Sequence, residues 1–152
     1  MPSAPIPRIG EKNGSKRSLL VDARGIPLSL VVSGAETPDV SLLAETLKAR
    51  VLRMKPSIWP EYLSGDNGYT GAAAWHAAAA AGYAPALQQR GRTTERHPNP
   101  AARLRRWKVE RCHSWLNRFR KLTIRYEKLK QSYEGLLQLA CAIICWRQTI
   151  PI

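Results

Sequence analysis

Residues 103–122 form the segment that most constrains how this chain can fold. Apolar side chains recur there at steps of three to five residues and so share one face of a helix, namely Leu104, Trp107, Cys112, Trp115, Phe119 and Leu122. The same twenty residues contain eight Lys and Arg but one acid, Glu110. The pattern predicts a helix over 101–122 that packs its apolar stripe on a core and carries Glu110 on a basic, polar face.

The first half of the chain has the patterning of a hairpin followed by a helix. Two short runs rich in Leu and Val, at 18–23 and 27–33, are split by Arg24-Gly25 and are typical of a β-hairpin. A 3.6-residue apolar period then predicts a helix over 37–55, with Thr37 or Asp39 as its N-cap.

The remaining elements alternate between strand and helix. They are a strand at 62–65, an alanine-rich helix at 72–81, a strand at 83–89 and a final helix at 131–147. The order predicts one α/β domain over 15–148, with a flexible leader at 1–14 and a tail at 149–152.

The charge of the chain favours a nucleic-acid partner. There are 24 Lys and Arg against 11 Asp and Glu, and residues 90–130 alone hold 14 basic and three acidic residues. Such a run can follow a phosphate backbone, while its aromatic residues are expected in the core. A membrane surface is the alternative partner for a basic amphipathic helix, and the many Arg of its polar face disfavour that alternative.

Targeting and cysteine usage predict a cytoplasmic protein. No run reaches eighteen apolar residues, and the first residues lack the apolar stretch of a secretory signal. Cys141 and Cys145 lie one helical turn apart in an apolar run, where free thiols behave as small hydrophobes. A zinc site formed by this pair with Cys112 and His113 is the alternative.

Residues 109–122, VERCHSWLNRFRKL, resemble the C-terminal catalytic helix of bacterial insertion-sequence DDE transposases, specifically the insertion-sequence-five group. The resemblance continues through SKRSLLVDARGIPLSLVVSGA (15–35), GDNGYTG (65–71), IRYEK (124–128) and LLQLACAIICWR (136–147). These motifs follow the order and spacing of the family and cover residues 10–148, so the resemblance is specific.

The resemblance implies an RNase H-like α/β fold, the catalytic core of a DDE transposase, in which three acids hold two Mg²⁺ ions. Asp66 matches the second acid and Glu110 the third. The first acid belongs to a central strand that would precede residues 10–14, and residues 1–7 contain no Asp or Glu. We therefore expect an N-terminally truncated domain that lacks the first central strand.

Each acid also has a purely structural interpretation. From spacing alone, Glu110 could form a surface ion pair with Arg106 at i, i+4, and Asp66 could be a turn former. Asp22 precedes the turn at Arg24-Gly25, and we expect it to be a solvated turn acid.

Seven basic residues are predicted to contact DNA: Arg103, Arg106, Lys108, Arg111, Arg118, Arg120 and Lys121. Related transposases place a tyrosine seven residues before the glutamate, an arginine four before it and a lysine seven after it. Arg106 matches the arginine, whereas Arg103 and Asn117 occupy the other two positions.

The partners implied are double-stranded DNA, as terminal repeats and target, and either a second copy of the chain or the product of an upstream open reading frame. We expect no membrane partner, and association with the nucleoid when DNA is bound.

The function implied is transposition of an insertion sequence by metal-dependent phosphodiester cleavage and strand transfer. We expect a truncated or frameshifted copy that is inactive alone. The first alternative is a non-catalytic DNA-binding fragment that regulates the full-length transposase. The second is an unrelated basic module, for example one that binds RNA.

Overall fold

The computed structural model describes residues 14–52, 58, 60–65, 68–69, 71–87, 106–124 and 126–150; the side chain of Arg106 lies outside this set. Its elements are β1 (Ser15–Val21), β2 (Pro27–Gly34), α1 (Asp39–Lys48), β3 (Tyr62–Gly65), α2 (Ala72–Ala80), β4 (Ala84–Leu87), α3 (Arg106–Asn117), α4 (Arg120–Thr123) and α5 (Lys130–Thr149). This is the mixed α/β order that the sequence predicted. No helix in the described ranges is long and apolar enough to cross a membrane.

β1 and β2 form the predicted antiparallel hairpin, paired from Ser15 with Gly34 to Val21 with Pro27. The carboxylate of Asp22 holds the turn, because its Oδ1 accepts the backbone N–H groups of Arg24 and Ile26 at 2.8 Å each. This geometry confirms the prediction that Asp22 is a turn acid.

Helices cover both faces of this hairpin. Neighbouring residues of a strand point to opposite faces, and Ser18 and Leu19 show the two directions. The hydroxyl of Thr46 on α1 donates to Ser18 Oγ at 2.7 Å. Leu19 instead packs against a cluster from β2, α3, α4 and α5, which consists of Val32, Leu116, Leu122, Tyr133, Leu137, Ala140 and Ile144.

The second sheet is the parallel pair of β3 and β4, aligned from Tyr62 with Ala84 to Gly65 with Leu87. Parallel neighbours need a crossover, and α2 supplies it. Gly82, with φ of 85°, lets the chain leave α2 in a conformation that residues with a Cβ rarely adopt. The core of this unit consists of Leu43, Leu47, Leu63, Ala74, Ala78, Tyr83 and Leu87.

α1 connects the two units. Its Leu43 and Leu47 belong to the second core, its Thr46 binds the hairpin, and Leu20 of β1 also packs against the second core. Within the described residues, however, β1 and β3 do not pair, so the sheets remain two-stranded and separate.

The structure corrects the predicted helix at 37–55. α1 begins after Pro38, which is the N-cap and makes no side-chain capping bond, so neither Thr37 nor Asp39 caps it. The helix ends at Lys48, and the chain leaves its axis within three residues. The N–H of Val51 donates to the carbonyl of Leu28 on β2, 3.3 Å away.

The structure also corrects the continuous helix predicted over 101–122. α3 ends at Asn117, and α4 begins after Phe119. The cause is non-local, since Arg17 of β1 donates to Asn117 Oδ1 at 3.2 Å and also to the carbonyl of Leu122. The bend leaves Leu122 buried in the first core. Residues 101–105, the leader as far as residue 13 and residues 151–152 lie outside the described part of the chain.

Candidate functional site

A cavity of about 880 Å³ lies between the two sheets. It is lined by residues 18–24, from β1 and the turn, and by residues 61–65, which include β3. α1 lines it with Leu43 and Leu47, and α3 lines it with residues 108–110 and His113. Residues of both sheets and of two helices therefore line one space, which is partly open to solvent.

Glu110 and the end of β3 meet at this cavity. Glu110 lies in the second turn of α3, where its side chain is exposed, and Gly65 is the last residue of β3. Both residues line the cavity. Asp66, the next residue in the chain, lies outside the described residues, as do Arg103 and the side chain of Arg106. The Arg106 to Glu110 pair therefore stays a prediction.

The cavity is rich in carboxylates although the chain is basic. Two of its acids have structural partners: Asp39 pairs with Lys16 at 3.1 Å, and Asp22 holds the hairpin turn. Glu61 and Glu110 form no ion pair with the described residues. Both residues line the cavity.

Two of the predicted DNA-binding residues lie against aromatic side chains. Lys108 is 9% exposed, and its ammonium lies 5.8 Å from the centre of the Trp107 ring. The guanidinium of Arg111 lies 4.8 Å and 5.0 Å from the ring centres of Trp107 and Trp115, and its Nη2 donates to the carbonyl of Arg24. Arg111 therefore ties α3 to the hairpin turn.

Three other predicted residues form an exposed basic cluster at the end of α3 and in α4. These residues, which we call the distal cluster, are Arg118, Arg120 and Lys121. Their side chains are open to solvent, as a residue that contacts a phosphate backbone requires.

Burial shifts the titration of several groups beside the cavity. Desolvation first, and the charge of Arg17 second, lower the pKa of His113, which keeps the imidazole neutral at pH 7. Burial raises the pKa of Cys112 to about 12 and that of Cys141 to about 11, so both stay thiols. Among the described residues, no group of three His, Cys, Asp or Glu could hold a metal ion.

Sequence reasoning missed Arg17. Its Nε donates to the hydroxyl of Tyr133 at 2.8 Å, and its other nitrogens reach Asn117 and Leu122. This one side chain fastens β1 to the ends of α3 and α4 and to α5. Its place inside a predicted strand pair, next to Lys16, gave no signal of these distant contacts.

The amino-acid sequence of the chain matches that of a known family. The sequence model of the family described as "Transposase DDE domain" matches residues 63–147, a stretch that includes both Gly65 and Glu110. The chain belongs to the DDE transposases of insertion sequences.

One curated relative is similar over nearly the whole chain. It is a Burkholderia cepacia protein whose name describes it as a transposase for insertion sequence element IS402. The two are 34% identical over 148 residues, which is 95% of this chain and 68% of the relative. No solved structure matches the chain. Transposases act on DNA, and the DDE family generally uses divalent metal ions.

Proposed function

We propose that this chain is a partial RNase H-like catalytic domain of an insertion-sequence transposase, with Asp66 and Glu110 as its metal-binding acids. The observation that carries the proposal is that Glu110, on α3, and Gly65, the residue before Asp66, line the same cavity. Catalytic groups of α/β proteins commonly lie beyond the carboxyl ends of strands, and Gly65 is such an end.

The chemistry of Glu110 suits a hard cation. Its carboxylate is exposed in the cavity and pairs with none of the described cations, and Mg²⁺ prefers oxygen ligands. Asp66 and Glu110 would hold divalent metal ions, which would supply activation of the nucleophile and stabilisation of the leaving oxygen in phosphodiester cleavage and strand transfer.

We assign phosphate binding to the distal cluster. Double-stranded DNA, as the terminal repeats of the element and as the target, is the substrate. The distal cluster is exposed and holds three cations within four residues, so it can contact neighbouring phosphates. Lys108 and Arg111 act through packing, because their cations already lie against aromatic rings.

A titration with Mn²⁺, followed by electron paramagnetic resonance, tests the metal role. We expect Glu110→Gln and Asp66→Asn each to weaken Mn²⁺ binding about tenfold or more, because each removes a carboxylate ligand. Glu45→Gln is the matched control, since Glu45 is exposed on α1 and does not line the cavity. Equal Mn²⁺ affinity in wild type and Glu110→Gln would refute the assignment.

DNA binding needs a separate measurement. The fluorescence anisotropy of a labelled duplex that carries the end of the element gives the binding affinity at each salt concentration. The quantity to compare is the slope of the logarithm of this affinity against the logarithm of the salt concentration. We expect Arg118→Ala with Arg120→Ala to reduce the slope by about two, since each phosphate contact contributes roughly 0.9. Lys48→Ala with Arg147→Ala removes two exposed cations from other helices and should leave the slope nearer the wild-type value.

The same duplex separates the two candidate functions. We expect the chain alone to bind without cleaving, because it presents two of the three acids that the family uses. If the bound chain also inhibits a full-length transposase of the same element, the regulatory function is supported. Mg²⁺-dependent cleavage by the chain alone, abolished by Glu110→Gln, would contradict the partial-domain proposal.

A further inference from the structure

We infer that the outward face of α5 is an interface at which two copies of this chain pair as antiparallel helices around a two-fold axis. The occupant of this face is therefore a second copy of the chain. The inference goes beyond the proposed function, because it concerns assembly and uses neither the metal-binding acids nor the distal cluster.

α5 is apolar on two opposite sides. One side packs in the first core, where Tyr133, Leu137, Ala140 and Ile144 are buried. The other side carries exposed residues at steps of four, three and four, which we call the outer stripe: Gly135, Leu139, Ala142 and Trp146. In this stripe Leu139 is 58% exposed and Trp146 is 64% exposed. Contiguous exposed apolar patches mark interaction sites, whereas single exposed side chains do not.

The charges of α5 lie away from the outer stripe. The helix contains three charged residues, Lys130, Glu134 and Arg147. At about 100° of rotation per residue, each of them lies roughly 110° or more from the centre of the stripe. The chain has a net charge of +13, so two copies repel each other wherever their cations meet. The uncharged stripe is a surface on which two copies can approach closely.

Gly135 has no structural reason within the described part of its own chain. Glycine is less favourable than alanine inside a helix, and Gly135 does not have the positive φ that would require it. A Cβ at this position would meet nothing within 4 Å. The backbone is therefore open at this point of the helix, and the side chain of another molecule can reach it.

A two-fold axis matches the large and small residues of the stripe. In an antiparallel helix pair with this axis between residues 140 and 141, Gly135 of each copy lies opposite Trp146 of the other, and Leu139 lies opposite Ala142. Each pair joins a large side chain with a small one, which lets the side chains interdigitate. Steps of four and three residues are also those of a coiled-coil seam. One symmetric arrangement thus covers Gly135 with the Trp146 ring in both copies.

The extent of the stripe predicts a weak dimer. α5 has 20 residues, so it is about 30 Å long, and a stripe about 10 Å wide along it covers roughly 300 Å² on each copy. Stable interfaces bury roughly 800 Å² per partner. We therefore expect a Kd of about 10–100 µM for the dimer.

Sedimentation equilibrium of the whole chain, without DNA or metal, tests the inference. In about 0.15 M salt the Debye length is about 8 Å, so repulsion between the basic copies is screened. We expect a reversible monomer–dimer equilibrium. Gly135→Leu should weaken dimerisation about tenfold or more, because the added side chain meets Trp146 of the second copy. Trp146→Ala should weaken it by a similar factor, because it removes the large residue that covers Gly135.

The double variant Gly135→Trp with Trp146→Ala distinguishes this register from a general apolar contact. It exchanges the large and small positions, so dimerisation should recover to within about threefold of wild type. Gln148→Leu is the matched control for Gly135→Leu, since Gln148 is exposed on α5 outside the outer stripe and should leave the Kd unchanged. Urea unfolding at low concentration reports whether each variant is folded. Gly135→Leu should be at least as stable as wild type, because leucine is the better helix former.

Every outcome bears on the inference. Dimerisation that Gly135→Leu weakens, the double variant restores and Gln148→Leu leaves unchanged supports it. A chain that stays monomeric at every concentration overturns it, and so does a dimer that Gly135→Leu and Trp146→Ala leave intact, which would form through another surface. A folded double variant that does not recover dimerisation overturns it as well. The Mn²⁺ and duplex titrations concern other residues, so the proposed function can fail or stand independently.

Discussion

Replacement of Arg17 by Met should destabilise the domain strongly, because Arg17 binds Tyr133 and Leu122 of the first core from β1. Its guanidinium donates to the Tyr133 hydroxyl at 2.8 Å, to Asn117 Oδ1 at 3.2 Å and to the carbonyl of Leu122. The cation also lies 5.6 Å from the centre of the Tyr133 ring. Met keeps the aliphatic packing of the side chain and removes all four interactions.

The magnitude follows from these contacts. A hydrogen bond from a charged donor contributes about 1.5–3 kcal/mol, and a cation over an aromatic ring about 0.5–1 kcal/mol at a partly exposed site. The three bonds share one side chain, and the bond to Asn117 is exposed. Because exposure weakens that contact, we expect Arg17→Met to lower the free energy of unfolding by about 3 kcal/mol. That loss is large beside the roughly 5–15 kcal/mol that stabilises a typical domain.

Urea unfolding followed by tryptophan fluorescence measures this loss, and Arg24→Met is the matched control. Arg24 is also a hairpin arginine, but its side chain is 72% exposed and its ion pair with Asp22 is 3.6 Å long. We expect the control to change the free energy of unfolding by less than about 1 kcal/mol. A loss for Arg17→Met no greater than that of the control would refute the view that Arg17 fastens β1 to α3, α4 and α5.

Three further predictions concern the core and the titrating groups. Leu137→Ala should lower the free energy of unfolding by about 2–5 kcal/mol in the same urea assay, because Leu137 is fully buried. Leu139→Ala, on the exposed side of α5, should lower it by less than about 1 kcal/mol. Because the pKa of His113 is lowered in the folded chain, the unfolded chain binds a proton more readily. The free energy of unfolding should therefore be full above pH 6.5 and fall as the pH drops below it. His113→Gln should flatten this part of the pH profile, and an unchanged profile would contradict the shift. In the native chain at pH 8, Cys112 should react with iodoacetamide far more slowly than Cys145, since Cys112 is fully buried with a pKa of about 12; equal rates in peptide mapping would contradict this placement.

The candidate site receives residues from two structural units, one on each side of the cavity. The chain supplies Glu110 on a helix that Arg111 and Arg17 hold against the hairpin. It supplies Gly65 at the end of a strand that belongs to the other unit. Glu110 and the strand that precedes Asp66 therefore belong to units that α1 connects.

Local patterns predicted the short elements of the fold well. Strand β3, Tyr62–Gly65, has the predicted bounds, and the hairpin and α2 differ from their predictions by a few residues at most. These elements are limited by nearby turn formers such as Asp22 and Gly82, whose effects reach only a few residues along the chain. The helix predicted over 131–147 is also close to α5, whereas those predicted over 37–55 and 101–122 were too long, and residues at their ends bind partners far away in the chain. Residues of α3 that periodicity assigned to one stripe also differ in burial: Cys112 is fully buried, whereas Trp107 is 51% exposed.

The amino-acid sequence by itself determined the element order, the family and the two acids proposed as metal ligands, because periodicity and motifs are properties of short segments. The tertiary structure decided which cations remain exposed, since Lys108 and Arg111 pack on aromatic rings while Arg118 stays in solvent. It also brought Glu110 and Gly65 to one cavity between separate sheets. The physical reason is that such placements depend on contacts between residues far apart in the chain, such as the bond from Arg17 to Tyr133 across 116 positions, which no local pattern encodes.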